Sequence, residues 1–201
     1  MKSKWVLMAI PLILFLGMAI FLGIGLQKDP SLLPSVKVDK PMPDFSLPSL
    51  TDPAKTLSLA DIKGPALVNV WGTWCPNCQM EHPLLVELAK GGIRIYGLNY
   101  KDDRATAQEY LQQMGNPYAA VIFDEKGSLG FDLGVYGAPE TFLIDANGLI
   151  KYRHVGEITA DQWRTVLWPK WQALGGGIAA SVNAAPANAA VSTAGSAGAT
   201  P

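Results

Sequence analysis

An α/β domain with a central mixed β-sheet flanked by helices, preceded by a transmembrane helix, is the architecture this sequence predicts. Three observations carry it. Strand-like runs alternate with helical patterns from residue 44 to residue 174, an order that makes parallel strand pairs with helices against the sheet. An Asn147-Gly148 step between Phe142-Leu143-Ile144-Asp145 and Leu149 to Arg153 adds a hairpin, and so antiparallel strands. Trp5 to Leu26 is 22 residues without a charge, about 33 Å as a helix against a hydrocarbon core of ~30 Å.

The N-terminal segment is longer than the core of a cleaved signal, although Gly23-Ile24-Gly25 leaves a weak cleavage site as the alternative. Lys2 and Lys4 precede it, while Lys28 and Asp29 cancel after it. The positive-inside rule therefore puts residues 1–4 in the cytoplasm, an anchor at 5–26 in the membrane, and everything beyond outside the cytoplasm. Residues 27–43 hold Pro30, Pro34, Pro41 and Pro43 and read as a semi-stiff linker. The domain follows at 44–174. Residues 175–201 contain no Lys, Arg, Asp or Glu and little apolar bulk, the composition of a disordered tail. A net charge of −1 gives no basic surface for nucleic acid.

Within the domain, Asp44 to Leu47 and Thr56 to Leu59 are short strands, with a turn or short helix at Ala60 to Lys63. Ala66 to Trp71 is a buried strand, followed by a helical pattern from Met80 to Leu88 in which Pro83 predicts a kink. Gly91-Gly92 closes that helix, and Ile93 to Tyr100 is the next strand, parallel to the first. Asp102 or Asp103 caps a helix from Arg104 to Met114, which Asn116-Pro117 ends. Ala120 to Phe123 is a strand and Ser128 to Leu133 a short helix or loop. Thr159-Ala160-Asp161-Gln162 has the form of a capping box, opening a last helix with Trp163, Val166, Leu167, Trp171 and Leu174.

The only two cysteines, Cys75 and Cys78, stand three apart between strand and helix. On a first helical turn, free backbone N–H groups and the helix dipole favour a thiolate. A thiol of pKa ~8.5 is about 3% ionised at pH 7, and one near ~7 about half ionised. The pair reads as a reactive dithiol able to close a redox disulfide. A structural disulfide competes, but so short a loop removes little unfolded-state entropy. Half a zinc site also competes; it needs two more ligands, and only His82 and His154 exist. No metal or other cofactor is expected. Glu81 lies three residues after Cys78 on the same helix face, where its charge raises a thiolate's proton affinity and its carboxylate can accept the proton of Cys78.

The element order, the Trp74-Cys75-Pro76-Asn77-Cys78 core, Pro83 and a proline opening the strand at 141–145 resemble a thioredoxin-like domain. Gly97 to Asp103, Gly115-Asn116-Pro117-Tyr118, Gly134 to Asp145 and Tyr152-Arg153-His154 are more specifically similar to the CcmG/DsbE family, membrane-anchored periplasmic thiol:disulfide oxidoreductases of cytochrome c maturation. The resemblance covers about residues 44 to 172 plus the anchor; the Ala-rich tail departs from it. It implies that Cys75, the more exposed thiol, attacks and that a buried Cys78 resolves. It implies a cis Ala138-Pro139 bond facing the dithiol, with Ala138 pairing with a bound peptide and Trp74, Pro76 and Pro139 shaping the groove. Glu140, directly after Pro139, is then a second catalytic carboxylate whose charge, with that of Glu81, raises the thiolate's proton affinity. Asn69 takes the place of the buried aspartate of thioredoxins, so that its acid–base role passes to Glu81. His154 reads as a strand-end residue.

The implied activity is reduction of specific disulfides: the haem-attachment cysteines of apocytochrome c or a partner thiol protein of that pathway. Electrons would come from a membrane-embedded donor of the DsbD or CcdA type. An oxidoreductase of another extracytoplasmic pathway, and a haem or metal chaperone using the Cys pair, are the competing functions. A peroxidase lacks its Thr-x-x-Cys spacing, since Thr73 is two before Cys75.

Overall fold

The structure is a computed structural model that describes residues 10–11, 14–18 and 38–177. Those before residue 38 are helical. Most of the expected anchor at 5–26 and linker at 27–43, and the tail beyond 177, lie outside the described residues. Among the described residues no helix is long and apolar enough to cross a membrane.

The domain opens with β1 (Ser46–Pro48) and β2 (Thr56–Ser58), an antiparallel pair of their own. The main sheet takes β3 (Ala66–Trp71), β4 (Ile95–Tyr100), β5 (Ala120–Asp124), β6 (Glu140–Ile144) and β7 (Ile150–Val155), in the spatial order β5-β4-β3-β6-β7. β3 pairs parallel with β4, and β4 with β5; β6 runs antiparallel to both β3 and β7. This is the mixed sheet that the element order and the hairpin predict. Helices α1 (Pro76–Lys90), α2 (Arg104–Met114) and α3 (Ser128–Leu133) connect the strands.

β3 is central and all six of its residues are buried. Side chains alternate across a strand, so Leu67, Asn69 and Trp71 face one side and Ala66, Val68 and Val70 the other. Leu67 and Trp71 pack with Leu85 and Leu88 of α1, Leu111 of α2 and the C-terminal tryptophans. Val68 and Val70 pack with Leu129 and Leu133 of α3 and with Met42 and Leu57. Each such fully buried side chain contributes about 1.5–3 kcal/mol. Asn69 is the single polar residue in this run, and it is fully buried.

Several boundaries differ from expectation. The fold begins before residue 44: Asp39 N donates to Ile150 O, Pro41 bridges Leu149, and Met42 is buried, so the end of the predicted linker is an edge of the domain. The first strand lies two residues later than predicted because its pairing partner is Thr56–Ser58. Helix α1 runs back to Pro76 and continues past Pro83 to Lys90 as one element. The hairpin loop is wider than a two-residue Asn-Gly turn. Asp145 N donates to Leu149 O, and its carboxylate accepts from Asn147 N and Leu149 N, with Gly148 at φ +79°. The last helix is broken into α4 (Ala160–Gln162), a π-helical stretch Trp163–Leu167 and α5 (Trp168–Ala173). Pro169 has no N–H for the carbonyl four residues back, and one widened turn accommodates that.

Gly97 of β4 stands on the Asn69–Trp71 face, where a Cβ would lie 2.9 Å from Trp71 Nε1 and 3.0 Å from the Tyr118 ring. Gly97→Ala is expected to lower the unfolding free energy by about 1–3 kcal/mol, the cost of overpacking a filled core. The measurement is a denaturant titration, in which the midpoint falls and the slope holds.

Candidate active site

β3 ends at Trp71, and Gly72-Thr73-Trp74 turn the chain into α1. Pro76 takes the first helical position, where its fixed φ suits and its missing N–H costs nothing. Cys75 is therefore the N-cap, joined to Cys78 by a disulfide. Cys78 N donates to Cys75 Sγ at 3.1 Å, a donor that stabilises a thiolate there. The expected contrast in exposure does not hold. Cys75 is 2% exposed and Cys78 5%, because the N-cap geometry folds Sγ back over the first turn and leaves the surface to Trp74, Pro76 and Asn77.

The turn is clamped to the end of β4. Asp102 accepts from Thr73 N at 2.7 Å, from Thr73 Oγ1 at 2.6 Å and from Asn99 Nδ2 at 2.8 Å. Of the two aspartates read as helix caps, Asp103 is the N-cap of α2 and Asp102 performs this other task. Trp74 is half exposed; its indole Nε1 donates to Tyr100 O, and a Cβ on Gly72 would strike the indole.

Behind the disulfide lies a buried polar network. Glu81 is 2% exposed, and its two oxygens accept from Asn69 Nδ2 and Ile158 N, both at 2.8 Å. Asn69 also donates to Thr141 Oγ1 and accepts from Tyr118 OH. Burial pushes the Glu81 carboxyl up to about 7, against the pull of these donors and with a small push from the Glu157 charge. A buried acid poised near neutrality can take a proton and return it.

Ala138-Pro139 is cis and leads into β6. Pro139 is buried and its carbonyl accepts from Gly156 N, whereas Ala138 is half-buried and has no backbone partner among the described residues. Glu140 is 1% exposed but its charge is spoken for: Arg153 Nε donates to Oε2 at 2.7 Å, and Tyr136 N to Oε1. Burial raises its proton affinity and Arg153 opposes that. Arg153 also holds Gly134 O and lies over the exposed ring of Tyr136. The pair thus fastens the Gly134–Gly137 loop rather than leaving a free carboxylate.

His82 turns away from the cysteines. It is buried, bonds Gly115 O through Nε2 and meets the Tyr110 ring edge-on, and burial lowers its proton affinity. His154 Nε2 bonds Glu157 O. Among the described residues no three His, Cys, Asp or Glu converge as a metal site. Tyr118 and Asp102 lie in stretches that carry the family resemblance, but nothing in the sequence assigns them these contacts; hydroxyls and carboxylates distant along the chain meet only through the sheet.

The Redoxin family matches residues 37–167. The chain is 54% identical over 172 residues to a thiol:disulfide interchange protein DsbE of Pseudomonas aeruginosa, covering 85% of this chain and 96% of that one. Against DsbE of Escherichia coli K12 the identity is 49% over 180 residues, covering 86% and 96%. A crystal structure described as a DsbE thiol:disulfide interchange protein from Chlorobium tepidum superposes with a TM-score of 0.59 at 30% identity, covering 70% of this chain and 98% of the other.

The Glu81 carboxyl has a pH signature in stability. Below pH 4.5, its ordinary value, it is protonated in both the folded and unfolded chain; between 4.5 and about 7 only the folded chain keeps the proton. The unfolded state then binds fewer protons, so stability falls as pH rises across that window, by about 3 kcal/mol in all. Unfolding titrations at pH 4.5 and 7.5 should show this fall in the unaltered protein and lose it in Glu81→Gln.

Proposed function

This chain belongs to the redoxin family and is a thiol:disulfide oxidoreductase of the DsbE kind, and from that premise we propose that it is a dedicated reductant in cytochrome c maturation. Its substrate would be the disulfide of the haem-attachment cysteines of apocytochrome c, or a thiol protein of the same pathway. The segment at 5–26 would anchor it in the inner membrane with the domain in the periplasm, and a membrane-embedded donor of the DsbD or CcdA type would restore its thiols.

The observation that carries the reading is the Cys75 N-cap backed by buried Glu81. In the reduced protein the Cys75 thiolate attacks one sulfur of the substrate disulfide. That S–S bond breaks, a Cys75–substrate bond forms and the first substrate thiolate leaves. Cys78 gives its proton to Glu81 and attacks Cys75 Sγ, expelling the second thiolate. The substrate gains two electrons and the Cys75–Cys78 disulfide closes. Ala138, with its free backbone groups, suits an extended peptide, as strand addition requires. Trp74 and Pro76 would form the facing wall. A reducing poise is supported by Asn77, which brings no positive charge between the cysteines.

Two measurements test this. Reduced Cys78→Ser protein, mixed with an oxidised Cys-x-x-Cys-His peptide or exposed in the periplasm, should accumulate a mixed disulfide through Cys75, visible as a mass increment that reductant removes. The couple should sit nearer the thioredoxin range, about −200 mV or below, than the ~−120 mV of strong oxidants. Absence of any captured substrate, or an oxidising potential, defeats the proposal.

A further inference from the structure

We infer that Tyr118 is a positioning residue for the thiol–disulfide reaction: its hydroxyl decides which end of the Asn69 amide faces Glu81. The inference rests on the reading that Glu81 takes the proton of Cys78.

Asn69 is fully buried and its amide is fully used. Nδ2 has two hydrogens, one for Glu81 Oε1 at 2.8 Å and one for Thr141 Oγ1 at 3.0 Å. Oδ1 accepts from Tyr118 OH at 2.9 Å. Thr141 is a hydroxyl and could serve either end of the amide. An ionised carboxylate only accepts, so nothing on the Glu81 side supplies Oδ1 with a donor. Tyr118 does, and that bond holds the donating nitrogen toward Glu81.

Tyr118 is itself fixed. Its ring stacks on Trp71 at 5.6 Å and lies against Gly97, and its N–H bonds Asn116 Oδ1. The next residue, Ala119, is tied to Ile95 O, and Gly115 O accepts from His82, which follows Glu81 on α1. The step Gly115–Tyr118 thus grips α1 beside the acid and β3 opposite it. The other titratable groups facing Glu81 are Cys78 and His82 on its own helix, Tyr110 from α2 and Glu157 from the loop after β7. Tyr110 OH has no partner among the described residues, and Glu157 repels the ionised form, so neither replaces what Tyr118 does for Asn69.

Without the hydroxyl the amide is free to turn its oxygen toward Glu81, which disfavours the carboxylate and moves its titration upward.

The test follows the reduced protein reacting with an aromatic disulfide that releases one coloured thiolate when Cys75 attacks and a second when Cys78 resolves. In the unaltered protein the second step should quicken with pH through a midpoint near about 7. Tyr118→Phe, which keeps the ring stack, should raise that midpoint by about half to one pH unit, the worth of one hydrogen bond. Asn69→Ala should raise it as well, and Tyr118→Phe should add nothing in that background. A Tyr118→Phe midpoint that does not move, or a shift that persists without Asn69, overturns the inference. Glu81→Gln separates the two levels. If it abolishes the pH limb, the proton-acceptor reading stands and the Tyr118 arms decide; if the limb survives unchanged, that reading falls and the inference with it.

Discussion

The carboxylate of Glu81, buried at 2% exposure, joins three parts of the chain that are distant in sequence: the helix carrying both cysteines, the central strand through Asn69, and the loop after β7 through Ile158 N. A lone charge in such surroundings costs several kcal/mol, and the donors that surround it return only part of that. The balance leaves the group able to hold or release a proton near neutrality. That makes it both a constraint on how α1 sits against the sheet and a buried acid–base group three residues along the helix from Cys78. Removing the acid would leave the buried N–H groups of Asn69 and Ile158 without their acceptor.

Around this centre the exposed parts of the site are fastened by separate devices. The turn before Cys75 hangs on Asp102 at the end of β4, which in turn lets the Trp74 indole rest on Gly72 and bond Tyr100 O. The loop before Pro139 hangs on the Glu140–Arg153 pair. A desolvated ion pair of this kind is strongly destabilising to break from one side, at about 3–5 kcal/mol, which suits a fastening more than a titrating group. The two elements that would meet a substrate, Trp74 and the backbone at Ala138, are thus both held by polar contacts made deeper in the protein. Of the two carboxylates, Glu140 is ion-paired with Arg153, whereas Glu81 is held by neutral donors and has no cationic partner among the described residues.

Local chemistry made much of this legible from the residues. Asp103, Thr159 and Gln162 cap where their side chains predict, because capping is settled within four residues. The buried strand at 66–71 and the helix at 104–114 follow from apolar pattern and flanking breakers. Readings failed where a second segment decides. The first strand moved to meet its partner, the hairpin widened because Asp145 captured two N–H groups, and Cys75 lost its exposure to the fold of its own N-cap.

By itself, then, the sequence determined the α/β class, the dithiol at a strand–helix junction and the three-residue interval that puts Glu81 on the face of Cys78. Those are consequences of periodicity, spacing and side-chain type, all of which act over a few residues. Tertiary structure alone decided that Glu140 belongs to Arg153, that Asp102 serves Thr73, and that Tyr118 and Asn69 stand with Glu81. The sheet brings Asn69 and Tyr118 within 2.9 Å across 49 residues of chain, and a hydrogen bond depends on distance in space, of which spacing in sequence carries no record.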